Sequence, residues 1–331
     1  MKNKWIKKIS AYIAIFCMLI TMLPVTILAN PETESGNTQE FKMEVPADAI
    51  LLSNKEDVIE LANNCRINSW SVGKTVALTN DIDMTGTEFE GIPSFGGVFL
   101  GQGYAIKGLN MVHDGSTVGF FRYVQENAVV HALTIEGVIQ PEGSKSKVGA
   151  IAGSNAGTII NCTSDAIVSG YEQIGGITGS NESGGVVTNC TSKGMVYGSH
   201  FVGGIVGENH GVVRECTNLA EINTNSVQNS VSIEDITLDS IINTESAYTT
   251  TDIGGIVGIN SGVIRASLNK GAVGYQKMGY NVGGIVGTQN GYVVGCVNYA
   301  EVEGRKEVGG IVGHMEPNIV VNFSQDSLQT L

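Results

Sequence analysis

Aromatic residues make up only 6% of this chain and charged residues only 15%, and 331 positions hold just six prolines. So little charge leaves poor material for amphipathic helices and favours many short β units. Cysteine never occurs as CxxC, which removes the usual zinc and dithiol spacings. None of the five histidines (His113, His131, His200, His210 and His314) is followed by glutamate. The HExxH helix of a zinc peptidase is therefore missing. The calcium-roll pattern GGxGxD is also missing, and no basic patch interrupts an acidic chain of formal charge −13. Such a balance disfavours nucleic acid and anionic lipid as partners. After residue 29 no apolar run reaches membrane length.

What the sequence does have is glycine, 44 residues, well above the roughly 7% of average proteins. Much of it falls in one six-letter phrase. VGGIVG stands at Val202, Val282 and Val308, with the near-copies VGAIAG at Val148, IGGITG at Ile174 and IGGIVG at Ile253. The starts 148, 174, 202, 253, 282 and 308 are 26, 28, 51, 29 and 26 residues apart. A fixed period of this size signals a repeat architecture. A phosphate-binding glycine loop follows a strand, opens a helix and needs a Lys-Ser/Thr pair or a later acid, a context no copy has.

Aligned, the copies read [VI]-G-[GA]-I-x-G-x-N-x-G-x-[VI]-x-x-C-x-[SN]-x-[GA]-x-[VI]. The cysteine column holds Cys162, Cys190, Cys216, Ser267 and Cys296. Three residues earlier stand Ile159, Val187, Val213, Ile264 and Val293. Small residues lie four places after the cysteine column (Ala166, Gly194, Ala220, Gly271, Ala300), and β-branched ones six places after (Val168, Val196, Ile222, Val273, Val302). Asn155, Asn181, Asn209 and Asn260 form a further column, with Gln289 in the fifth copy. One such unit cannot bury its apolar side alone, whereas units stacked in register bury a continuous core. The fold expected is all-β: a right-handed parallel β-solenoid of roughly 26–30-residue rungs, three strands to a turn and about 4.8 Å per rung. Stacked asparagines would satisfy corner backbone and bond to the next rung. The apolar and cysteine columns are three residues apart, so both face inward only if a corner or bulge lies between them.

The organisation expected around the repeats has five parts. Residues 1–29, a basic start followed by the apolar run Ile9–Pro24 and a small residue at Ala29, form an export signal; an uncleaved membrane anchor is the rival reading. Removal of its four lysines takes the formal charge from −13 to −17. Residues 30–45 are a polar, disordered linker. Residues 46–95 are an N-terminal cap: a capping box from Ser53 to Glu56 opens a helix from Asn54 to Asn64, and the first strand begins at Thr75. The solenoid runs over 96–321, with earlier divergent rungs at Gly96 and Val118 and an insertion at 224–252 that reads as a short helix or a hairpin. Residues 322–331 are a tail with no polar cap, which suggests that the chain is part of something longer.

At this point the columns resemble the GLUG-repeat family of bacterial surface and secreted β-solenoids, which includes segments beside immunoglobulin A1 peptidases of Gram-positive bacteria. The string LTNDIDMTGTEFEGIPSFGGVFLGQGYAIKGL is similar to the usual opening of such proteins, and the resemblance covers about Val76 to Val321. It implies fold and location; it implies no activity, since such repeats are generally not catalytic.

The chemistry-bearing residues point the same way. Glycoside hydrolysis needs two carboxylates flanking one bond, and Asp165, Glu215 and Glu301 stand in different columns. Arg214 and Arg265 share a column and read as an outward, solvated stripe. Asp81, Asp83, Thr85 and Gly86 begin like an oxygen-ligand loop, but position twelve is Ile92 rather than glutamate. Cys162, Cys190 and Cys216 lie on consecutive rungs, within disulfide reach. Ser267 in their column instead suggests small buried free thiols. The expectation is a protein with no catalytic, cofactor-binding or metal residue: an exported, non-enzymatic surface or secreted repeat protein, adhesin-like or a spacer. A carbohydrate-active β-helix enzyme is the alternative. The partners expected are a host glycan or surface protein and a further C-terminal domain, with no nucleic acid and no membrane beyond an uncleaved signal.

Overall fold

The computed structural model describes residues 42–113, 115–142, 146–224 and 250–316. The signal segment 1–29, the linker up to residue 41, residues 225–249 of the insertion and the tail from 317 lie outside the described residues.

The consensus columns are rungs of a parallel β-solenoid. Among the described residues there are 29 strands and one helix, and every strand pairing is parallel. The strands stack into three sheets. The first face has nine strands, from Ile50–Leu52 at one end to Tyr292–Val294 at the other. The second has seven, from Phe121–Val124 to Val312–Met315. The third includes the two longest strands, Thr163–Gly175 and Thr191–Gly203. Each alignment column is a register line: Ile159 pairs with Val187, Val187 with Val213, Val213 with Ile264 and Ile264 with Val293. The 51-residue step leaves this register intact, since Val202 still pairs with Ile253.

The inward lines form the core. Ile159, Val187, Val213 and Ile264 are wholly buried, as are Val168, Val196 and Ile222. Each contributes about 1.5–3 kcal/mol by burial. The six-letter phrase forms the tightest corner. In the copy at Val202, a Cβ on Gly203 would stand 2.0 Å from the Val206 carbonyl oxygen, and one on Gly204 would stand 2.2 Å from the Gly255 oxygen. Only hydrogen fits there, while Val202, Ile205 and Val206 pack inward.

Two further corners carry almost no glycine signal, Gly295 before Cys296 being the exception. Lys147, Gln173, Phe201, Asp252, Asn281 and Glu307 directly precede the six copies, and all are left-handed, with φ between 54° and 60°. Asn161, Asn189, Glu215 and Ala266 stand just before the cysteine column with φ between 48° and 57°. That second corner explains why residues three apart both point inward: the left-handed residue between Ile159 and Cys162 resets the strand's alternation.

The early rungs diverge because their interior is filled differently. Phe95, Phe99, Phe120 and Phe121 are buried together, with ring centroids 5.0–6.0 Å apart. Ahead of them sits the helix α1 (Lys55–Asn64), which buries Val58 and Leu61. Its capping box is one residue later than the sequence suggests. Asn54, not Ser53, is the N-cap, and Asp57 rather than Glu56 reaches back, accepting from the backbone N–H groups of Asn54 and Ser53. The first strand, Ile50–Leu52, precedes the helix and pairs with Val76–Leu78. Within the stretch expected to be a loose linker, Met43 is pinned to Gln102 through both its N–H and its carbonyl. At the other end, the last described rung leaves Val308 and Ile311 each 43% exposed, whereas Val282 and Ile285 one rung earlier are buried.

Candidate functional site

Polar groups in the interior serve the fold. The asparagine column is a continuous ladder: Asn155 donates to Asn181 (2.8 Å), Asn181 to Asn209 (2.8 Å), Asn209 to Asn260 (2.7 Å) and Asn260 to Gln289 (3.0 Å). The same amides clamp the corner backbone, as where Asn209 bonds both the N–H and the carbonyl of Gly211. A second ladder, Asn218 to Asn269 to Asn298, repeats the device with 2.8 Å bonds. The sequence marks it only as an [SN] column. In that column Ser164 and Ser192 are buried with no partner for their hydroxyls among the described residues. Serine is too short to make the clamp, and there the strand runs on for 13 residues instead of breaking at a corner.

The cysteine column is a stack of buried free thiols. Cys162, Cys190 and Cys216 each donate weakly to the carbonyl two residues before, at 3.3, 3.3 and 3.2 Å, and Ser267 does the same at 3.1 Å. The column therefore selects a small side chain able to donate into the corner. Burial pushes the Cys190 thiol well above its ordinary range, and Cys65 up to about 11.

The residues weighed for chemistry do not converge. Asp165 lies on the third face, in register with Glu136 and Lys193. Glu215 sits exposed at a left-handed corner, and Glu301 is exposed on a later rung. Arg214 and Arg265 do stack in register. Asp81 and Asp83 already have other partners. Asp81 accepts from the Ala105 N–H (2.9 Å) and pairs with Lys107 (2.7 Å), while Asp83 caps the Thr85 N–H (2.8 Å). Hydrogen bonds from Lys107 and Ala105 hold the Asp81 carboxyl below its usual range. Among the described residues no three His, Cys, Asp or Glu side chains gather around one point.

Two outward clusters remain. On the second face Glu182 accepts from Lys147 (2.7 Å), Ser154 (2.7 Å) and Ser180 (3.0 Å), a contact made across two adjacent rungs. Burial raises its pKa, but those bonds and the lysine charge outweigh burial and leave the carboxyl below its ordinary value. On the third face Tyr171 and His200 meet edge to face at 5.2 Å, and His200 lies 6.4 Å from Phe201. His200 Nδ1 bonds the Thr251 hydroxyl at 2.9 Å. The register line through His200 runs Glu172, His200, Thr251, Tyr280, Lys306. Alignment by consensus misses this line because its residue type changes at every rung.

One family model matches the chain at a single rung. The GLUG motif matches residues 170–197. Halomucin of Haloquadratum walsbyi is 28% identical over 135 residues, which is 38% of this chain and 2% of halomucin; the chain thus spans a small fraction of that relative. The crystal structure of a candidate immunoglobulin A1 protease from Bacteroides ovatus is similar over 83% of this chain and 80% of its own, with TM-score 0.54 and 18% identity. At that identity the likeness is one of fold. The chain is a repeat protein that carries the GLUG motif on a parallel β-solenoid.

Proposed function

We propose that this is an exported protein of the cell surface or its surroundings, which works without turnover, by repeated contact along a stiff rod. The observation that carries this reading is the unbroken register of nine first-face strands. Eight steps of about 4.8 Å make a body roughly 40 Å long, whose outward positions vary in chemistry while the inward columns of its core stay apolar. Such a body presents several contacts to one partner at fixed spacing, so weak contacts add through effective concentration. The apolar leader at 1–29, the GLUG motif and the similarity to a stretch of halomucin support a place outside the cell. The separation of Asp165, Glu215 and Glu301 supports binding over hydrolysis. The partners this reading favours are a host glycan or a surface protein, with a further C-terminal domain as cargo when the rod acts as a spacer.

The test is a binding and turnover panel of glycans, mucins and matrix proteins. Saturable binding without product release supports the adhesive reading. Product release that disappears on replacing acids of one face would overturn it in favour of a carbohydrate-active enzyme.

A further inference from the structure

We infer that the third-face cluster Tyr171, His200 and Phe201, flanked by Glu172 and Thr251, is a subsite for a neutral glycan chain. The inference rests on the adhesive reading and gives it an address.

The backbone argument comes first. Thr163–Gly175 and Thr191–Gly203 run on past the position where the later third-face strands break, and turn only at the left-handed Gln173 and Phe201 near their ends. Side by side in register over eleven residue pairs, they make the longest paired stretch among the described strands, and the cluster sits where it turns. The outward residues near its end are aromatic. Tyr171 is 43% exposed, although a tyrosine on a solenoid gains nothing for the fold from an outward position. Its ring is braced edge to face by His200 from the next rung, and His200 is held in turn by the Thr251 hydroxyl of the rung after that. Three rungs thus fix the ring orientations before any ligand arrives, which lowers the ordering cost of binding.

The chemistry of the cluster selects the ligand. A braced, half-exposed ring with polar neighbours suits a partner that has an apolar face and a hydroxyl rim, which is the make-up of a pyranose ring. With Nδ1 taken by Thr251, His200 keeps Nε2 for a ligand hydroxyl, and Glu172, its register partner, supplies a carboxylate acceptor. The formal charge of −13 disfavours polyanionic chains. An apolar peptide would have no use for the carboxylate and would desolvate it at a cost. Further along the same line Tyr280 lies under Arg305 and Lys306, whose charges sit 5.7 and 6.0 Å from its ring centre. A chain lying beside Tyr171 and following the register line from Glu172 and His200 would reach that second ring, one sugar for about each rung.

The experiment is titration of the full chain with cellohexaose, chitohexaose and a mannohexaose, followed by calorimetry and by the tyrosine and histidine ring signals in NMR. Saturable binding of at least one probe is expected, with Tyr171 and His200 resonances shifting. Tyr171→Ala should weaken it about tenfold or more, Tyr171→Phe should retain most of it, and neither should move the melting temperature. Binding that Tyr171→Ala and His200→Ala leave unchanged would overturn this subsite while sparing the adhesive reading. No binding of any of the three neutral probes, by a folded protein, would overturn the subsite as assigned; the broader panel would then still decide the adhesive reading.

Discussion

Replacing Asn209 by alanine tests whether the buried amide ladder holds the rod together. Asn209 is fully buried and makes four bonds: to Asn260 (2.7 Å), from Asn181 (2.8 Å), and to the carbonyl and N–H of Gly211 (3.3 and 3.2 Å). Removal leaves the Asn260 carbonyl oxygen and the Gly211 N–H without a partner in a dry interior, while Asn181 keeps its bond to the Gly185 carbonyl. At about 1–3 kcal/mol for each of the two orphaned groups, the expected loss is about 2–6 kcal/mol. The matched control is Asn189→Ala. Asn189 also donates to an asparagine of the neighbouring rung, Asn161 at 2.6 Å, but it is exposed, and alanine at Ala266 already adopts the same left-handed corner. Water replaces that bond, so the control should lose less than about 1 kcal/mol. Urea unfolding followed by far-ultraviolet circular dichroism reads both. Because each rung contacts only its neighbours, the Asn209 variant should also broaden its transition. A loss for Asn209→Ala no larger than for Asn189→Ala would refute the ladder's role.

Three further outcomes follow from the same geometry. Gly207→Ala places a Cβ 2.4 Å from the Gln173 carbonyl carbon and should cost at least about 1–3 kcal/mol, whereas Gly310→Ala, with nothing within 4 Å, should be neutral in the same melts. Thiol labelling of the native protein should find Cys296, the one partly exposed thiol of its column, before Cys65, Cys162, Cys190 and Cys216, which should react only on unfolding; equal rates would contradict the stacked core. Glu182 has a folded pKa below its unfolded 4.5, so its stabilising effect is complete above that value and is lost as pH falls below it. Glu182→Gln should therefore flatten the acid side of the stability profile over that range and leave the alkaline side unchanged.

The sequence alone determined the columns and therefore the register. Inward positions of a solenoid face the same neighbours in every rung, so Ile159, Val187 and Val213 repeat and can be aligned without a structure. The asparagine ladder was legible for the same reason, because an amide is the side chain that can clamp a corner and bond its own kind above. The 51-residue step was equally readable as one rung with material added, since Val202 and Ile253 are the same letter of the same phrase. The left-handed corners were not legible. Before the six-letter phrase their residues are Lys, Gln, Phe, Asp, Asn and Glu, which share no residue type and no burial, from the buried Asp252 to the exposed Glu307, so no column marks the backbone there. The capping box slipped by one residue because Asn54 and Asp57 answer the same pattern as Ser53 and Glu56, and only the turn of the chain decides between them. The outward line beside Tyr171 also needed the tertiary structure. Its members Glu172, His200, Thr251, Tyr280 and Lys306 share no residue type and are 26 or more positions apart, and stacking alone brings them onto one face. In a solenoid the inside is written by repetition and the outside by differences between repeats, so any recognition surface lies in the positions that the consensus leaves blank.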